Sequence, residues 1–482
     1  MPPSSPNQNQ VQSMNLAVRS FRSTMLRSTV LALALTAGGC STLESVGDSL
    51  FGSSEDAKRV PGQRVSLMPR GQDLLTQDPA FAGMAVGIPQ AVHVPSWPLP
   101  GGTSENLVGN TDAPVTFNVA WTAEIGVGTS SDSAITATPI VADGMVFTLD
   151  AAANVRAFDA ASGGEIWATS VAVEDITSDF YFFSTGGDRA EEGYGGGLAY
   201  AGGRLFVTTG FREIIALDAR SGGRLWSKQV ETPFHTAPTV RDGRVIAMNR
   251  DNRSWALDAA TGADLWTHEV FSETASVLAS VSPAANAEYV VVPYTNGDLY
   301  ALRSNNGRAV WNDSLTRTGQ ADTLSSINDI AGRPVIDGNL VFAISHAGRL
   351  VAIDLRSGER VWTRDVAGVQ TPWVAGDYVY VMATNGNLIC FEKVSGRVAW
   401  TTYLGRWQDE EDRSDTVEWS GPLMAQGHLI LVSTDGRLAV VAAATGAVEQ
   451  SYELDAGSII APIVANGTLY ILNDDGVLTA YR

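Results

Sequence analysis

AIDLRSGERVW, residues 352–362, is not unique in this chain. Its Ala352, Asp354, Gly358 and Trp362 recur at the same offsets as Ala157, Asp159, Gly163 and Trp167, as Ala216, Asp218, Gly222 and Trp226, and as Ala256, Asp258, Gly262 and Trp266. Ala301, Gly307 and Trp311 match with Arg303 in the Asp position, and Cys390, Glu392, Gly396 and Trp400 match with Cys for Ala and Glu for Asp. Val440, Ala442, Gly446 and Gln450 form a worn copy without the Trp. The chain ends on half a copy, LTAYR at 478–482, and the other half, FNVAW at 117–121, lies far upstream. Trp121, Trp167, Trp226, Trp266, Trp311, Trp362, Trp400 and the substituted Gln450 thus mark eight units, each of roughly forty to fifty residues, the spacing of four-stranded propeller blades.

A proline opens a strand in most units, and a polar-Gly pair follows: Asp143-Gly144, Asp242-Gly243, Asp337-Gly338 and Asn466-Gly467. A second set recurs later, Asn296-Gly297, Asn385-Gly386, Asp435-Gly436 and Asp475-Gly476. Such pairs suit tight hairpins whose two central residues both take positive φ. Between them lie short β-branched runs such as YVYVM at 378–382, and no long amphipathic helix pattern occurs. The expected fold is all-β: an eight-bladed β-propeller over 113–482, closed by pairing 117–121 with the C-terminal strand so that no sheet edge is left open in the ring. The tryptophans read as packing between blades, and Cys390 as a buried free thiol.

Formal net charge is -20, and -23 once the three arginines of residues 1–40 are set aside. So acidic a body excludes nucleic acid and anionic membrane surfaces, whose binding needs clustered Lys and Arg. The two cysteines and five scattered histidines show no metal-ligand spacing,. No nucleophile elbow, phosphate loop or zinc motif is present, so no catalytic residue, metal or cofactor is expected.

Arg19, Arg22 and Arg27 precede the apolar run TVLALAL at 29–35, and Thr36, Ala37, Gly38 and Gly39 lead to Cys40. This is a basic segment, a short apolar run and a small-residue cleavage site; the run is too short to span a bilayer. AGGC resembles a bacterial lipobox, with Ala37 where Leu is usual. The resemblance implies cleavage of residues 1–39 and acylation of Cys40, and Ser41 in place of Asp implies outer-membrane sorting. Residues 40–112 read as a lipidated tether whose second half is pinned on the body through Trp97.

The AxDxxxGxxxW repeat resembles the blades of pyrroloquinoline-quinone dehydrogenases. Those eight-bladed enzymes hold quinone beside adjacent cysteines and a calcium; this chain has no adjacent Cys pair and one Cys in the propeller region. A lipid-anchored propeller without such a site resembles the BamB family, most strongly over 329–362. The resemblance implies a non-catalytic subunit of the β-barrel assembly machinery, at the periplasmic side of the outer membrane. Its implied partners are the POTRA domains of a BamA-type barrel, the other subunits of the machinery, and nascent outer membrane proteins. The family's docking loops map onto Asp329, with Ala331 replacing a second Asp, and onto the segment 274–283, where Val277 and Leu278 keep the apolar character and the Arg is missing. Taken as a residue, Asp329 reads equally as an ordinary loop carboxylate. Loops 173–197, with Phe180, Tyr181, Phe182 and Phe183, and 406–420, with Trp407 and Trp419, exceed the repeat's needs and read either as binding loops or as blade-length variation. A quinone-dependent dehydrogenase and a ligand-binding propeller are the alternative readings.

Overall fold

Each repeat folds into four antiparallel strands with a fixed gradient of burial. In the unit around residue 352 the strands are Val335–Asp337, Leu340–Ser345, Arg349–Asp354 and Arg360–Arg364, paired in that order. The two middle strands are buried nearly end to end, whereas Arg360–Arg364 is exposed apart from Trp362. Middle strands covered on both faces carry continuous apolar runs; an outer strand needs only one apolar anchor. The computed structural model describes residues 75–131, 133–172, 195–272, 281–316 and 329–482, all within one compact unit, Pro69–Arg482.

Eight such sheets follow one another. Blades 1 to 7 span 140–170, 196–229, 239–269, 284–314, 335–364, 373–403 and 419–453. Blade 8 joins Ile463–Ala465, Thr468–Leu472 and Val477–Tyr481 to the upstream strand Val119–Glu124, which supplies its outer edge. The register runs from Val119 opposite Tyr481 to Glu124 opposite Val477, so the closing strand lies slightly downstream of the expected 117–121. Arg482 reinforces the seam: its backbone N–H donates to the Asn118 carbonyl (3.0 Å), and its guanidinium donates to the Ala160 carbonyl of blade 1 (2.9 Å).

The core lies in layers between blades rather than at the centre. Phe147 and Val155 of blade 1 pack with Leu205, Val207 and Ile215 of blade 2, and Phe342 and Ile344 of blade 5 with Val379, Ile389 and Phe391 of blade 6. All seven tryptophans sit at these joints. Trp311 Nε1 donates to the Leu355 carbonyl of the next blade (2.7 Å), and Trp121, Trp167, Trp226, Trp266, Trp362 and Trp400 do the same to Ala160, Ala219, Ala259, Ser304, Lys393 and Ala443. The ring rests on the repeat's glycine. At Gly358, φ is +76°, and a Cβ would stand 2.6 Å from the Trp311 ring, so both backbone and space require glycine. The repeat's Asp caps the same turn: Asp354 Oδ1 accepts from the backbone N–H of Arg356 and Ser357 (3.0 and 2.8 Å). One motif therefore encodes turn, cap and interblade lock together.

Cys390 replaces the repeat's Ala opposite Trp400. It is a fully buried free thiol, and burial pushes its pKa up. The first set of turns has the expected form, with Asp143 and Gly144 both at positive φ. In blade 5 the turn slides by one residue, to Gly338-Asn339, because Asp337 pairs with Leu340. In the second set only the glycines are at positive φ; Gly297 N–H bonds back to Tyr294 (3.1 Å) inside a longer loop, so the two-residue reading does not hold there.

Candidate functional site

Residues 75–112, expected as tether, lie against the propeller. The segment first follows the outer strands of blades 6 and 7: Asp78 N–H donates to Val398, Gln77 Nε2 to the Ala399 carbonyl (2.8 Å), and Val86 N–H to Ala444 (2.9 Å). Ala399 is buried there, whereas the equivalent residues Ile166, Leu225, Leu265, Val310 and Val361 of blades 1 to 5 are exposed. The chain then crosses the face that carries the turns between first and second strands and touches every blade. Val94 accepts from Asn466 of blade 8, Trp97 exchanges two backbone bonds with Val141 of blade 1, and Pro98 accepts from Tyr200 of blade 2. Arg241 of blade 3 donates to Ser104 Oγ (2.9 Å). Ser104 and Glu105 carbonyls accept from Ala285 and Ile336 of blades 4 and 5, Gly109 from Trp373 Nε1 of blade 6, and Thr111 bonds with Met424 and Gln426 of blade 7. Trp97 is 2% exposed. The segment is a plug spanning one mouth of the ring.

Above the plug lies a cavity of about 740 Å³, with Trp97, Pro100 and Asn106 as its floor. Its wall includes the residues that precede the strand-opening prolines: Thr138, Arg333, Thr371, Gly421 and Ala461. Arg333 is the one charged residue in that set. It leaves blade 5 and donates from Nη2 to Thr138 Oγ1 of blade 1 (3.0 Å). Blades 1 and 5 stand four apart in a ring of eight, so this guanidinium crosses the channel. Burial lowers its pKa to about 10. His346 lines the same wall. Loop 406–420 stands at the open mouth as a small hairpin, Trp407–Asp409 against Ser414–Thr416. Glu410 holds it, accepting from Tyr403 Oη (2.7 Å) and from Arg406 N–H (3.0 Å), and Trp419 Nε1 donates to the Gly405 carbonyl (2.9 Å).

Of the residues singled out from sequence, Cys40, Val277 and Leu278 lie outside the described residues, as does 173–194 of the other long loop. Asp329 is 4% exposed; its carbonyl accepts from His346 N–H (2.9 Å), and it lines a small recess with His235, Asn249 and Tyr294. It is a buried wall residue rather than a displayed carboxylate. The seven tryptophans are at blade joints and away from one another. Arg333 and the plug escaped the sequence reading. A signal existed for Arg333: a charge in a position otherwise held by Thr, Ala, Ser or Gly. The plug carries no repeat, and of it only the attachment through Trp97 was legible.

The described residues do not fit the quinone and calcium of the dehydrogenases with similar blades. Cys390 is packed inside blade 6, away from the cavity, and among the described residues no three His, Cys, Asp or Glu side chains gather as a metal site.

Comparison with known proteins places the ring. The family profile described as outer membrane protein assembly factor BamB matches residues 151–402 and 406–482. The BamB of Moranella endobia is 27% identical over 228 residues, 47% of this chain and 57% of that protein, so this match spans a little over half of the relative. The BamB of Shewanella oneidensis is 24% identical over 361 residues, 75% of this chain and 87% of its own length. Among solved structures, BamB from Moraxella catarrhalis superposes with a TM-score of 0.60 at 18% identity, covering 76% of this chain and all of that one. The quinohemoprotein alcohol dehydrogenase of Comamonas testosteroni gives 0.62 at 14% identity, covering 81% of each. At these identities the structural likenesses show the fold alone.

Proposed function

This chain belongs to the family of outer membrane protein assembly factor BamB, and from that premise we propose that it is a non-catalytic scaffold of the β-barrel assembly machinery. The observation that carries the reading is the family match, which runs from the first blade to the last residue. No helix among the described residues is long and apolar enough to cross a membrane; in this reading the protein is held at the outer membrane, facing the periplasm, by acyl chains on Cys40. Two or more chains give stable anchoring.

The docking face is the open one, opposite the plug. Segments 273–280 and 317–328 join the outer strand of one blade to the inner strand of the next, between blades 3 and 4 and between blades 4 and 5. The described outer strands ahead of them, Asp264–Glu269 and Ala309–Ser314, hold equivalent places in their blades and so end on the same side of the ring. In this reading Val277, Leu278 and the loop that ends at Asp329 meet the POTRA domains of a BamA-type barrel. Asp329, being buried, orders the end of its loop rather than making the contact. Extended segments of nascent barrel proteins pair with exposed outer strands by β-addition.

Affinity purification of the full chain from detergent-solubilised outer membranes tests this. Recovery of a BamA-type barrel, weakened by a double Val277→Asp and Leu278→Asp variant, is the expected result. Recovery of only unrelated proteins would sink the reading. Fractionation tests the anchor: Cys40→Ala is expected to move the protein from the membrane to the soluble fraction.

A further inference from the structure

Among the described residues, the guanidinium that crosses the channel has no counter-ion. Arg333 Nη2 reaches Thr138, but Nε is shut off from solvent and meets no acceptor, and among the described residues no carboxylate pairs with it. An ionised group taken out of water without a partner is costly, and proteins rarely keep one unless something completes it. His346 lines the same wall, and its Nδ1 is shut off from solvent without a partner among the described residues. Arg333 and His346 thus line one cavity that is partly open to solvent. That space, about 740 Å³, falls in the range of small-molecule sites. Its remaining wall mixes polar groups with apolar ones, Trp373, Trp419 and Ile460 among the latter.

We propose that the plugged cavity is a binding site for a small organic monocarboxylate with an apolar body, its carboxylate on Arg333 and its body against Trp373, Trp419 and Ile460. Guanidinium and carboxylate match in charge and in geometry, since the planar fork can offer two parallel N–H donors. Asp365, Glu418 and Arg406 also line the cavity; two cations against two carboxylates leave no net positive charge to hold a multiply charged anion, which disfavours phosphate. Entry is from the open mouth, because the plug spans the other. Arg333 precedes Pro334, whose Cδ crowds the preceding residue and favours an extended backbone there; its side chain reaches across to Thr138.

The test is binding of benzoate, indole-3-acetate and inorganic phosphate to the full chain in dodecyl maltoside, by calorimetry and by thermal shift. The two carboxylates are expected to bind at one site per chain and to raise the melting temperature; phosphate is not. Arg333→Met is expected to weaken carboxylate binding at least tenfold while melting, without ligand, at or above the native temperature, because it removes a desolvated charge that no carboxylate among the described residues pairs. Absence of carboxylate binding, equal binding by the Met variant, or phosphate binding as tight as benzoate would each overturn the proposal. Crystals of the unaltered chain soaked in 4-bromobenzoate give a reading that needs no variant: bromine beside Trp373 and Trp419 supports the site, and bromine only elsewhere refutes it. No partner protein enters these measurements, so their failure and failure of the docking reading are separate results.

Discussion

Seven joints of this ring are alike and the eighth is not. Between blades 6 and 7, Trp400 donates to Ala443 (3.0 Å) and lies over Gly446 of the next blade's turn. Between blades 7 and 8 the Trp position is Gln450, which is exposed. Blade 8 takes its fourth strand, Val119–Glu124, from upstream in the chain, so no turn joins it to the third strand, and there is no turn glycine for a tryptophan to cover. Instead Phe117 packs on Tyr452 and Tyr481, with ring centres 4.8 and 5.9 Å away. The missing tryptophan is a consequence of closure. A docking side chain persists only where its receiving turn exists.

The largest effect should come from the seam itself. Truncation after Asp475 removes the strand that pairs with Val119–Glu124 and opens the ring; loss of a single cooperative melting transition is expected by calorimetry. Next, Trp311→Ala at an ordinary joint should cost about 3–5 kcal/mol in denaturant melts, the range for emptying a buried aromatic site. A cost near zero would break the equivalence of sequence repeat and joint. Gly358→Ala should follow at about 1–3 kcal/mol, since it places a side chain at positive φ and against Trp311. The turn carboxylates give a smaller, pH-dependent effect. Ser and Thr hydroxyls and turn N–H groups hold Asp159, Asp218 and Asp258 below their ordinary 3.8, and backbone and hydroxyl bonds from Ser357 do so for Asp354. Their folded pKa lies below the unfolded one, so their contribution is present above about pH 4 and fades as pH falls below it. Asp354→Asn should melt lower at neutral pH and lose less on acidification from pH 5 to 3. Smallest of all, Gln450→Trp should leave stability within about 0.5 kcal/mol; a clear gain would show that the seam can accept a tryptophan after all.

The ring was legible because each repeat carries its instructions within a dozen residues. Asp354 caps its own turn, Gly358 supplies the positive φ of that turn, and Trp362 follows four residues later on the outgoing strand. Even the closure was legible, as two halves of one copy at distant positions. The plug was not. Trp97 marked a point of attachment, but residues 92–112 bond mainly through backbone groups to all eight blades, and backbone bonding of irregular chain leaves no periodic trace. The burial of Asp329 was equally hidden, since it depends on the His346 turn of the same blade.

Turn chemistry, strand periodicity and the spacing of tryptophans are local properties, so the chain written out already contains the blade, the number of blades and the place where the ring joins. The cavity belongs to another scale. Arg333 and Thr138 are 195 residues apart and meet only because eight blades close into a circle that puts the first opposite the fifth. An arginine before a proline can be read in the sequence; that it reaches Thr138 across a plugged channel is decided by closure, which fixes who faces whom across the ring.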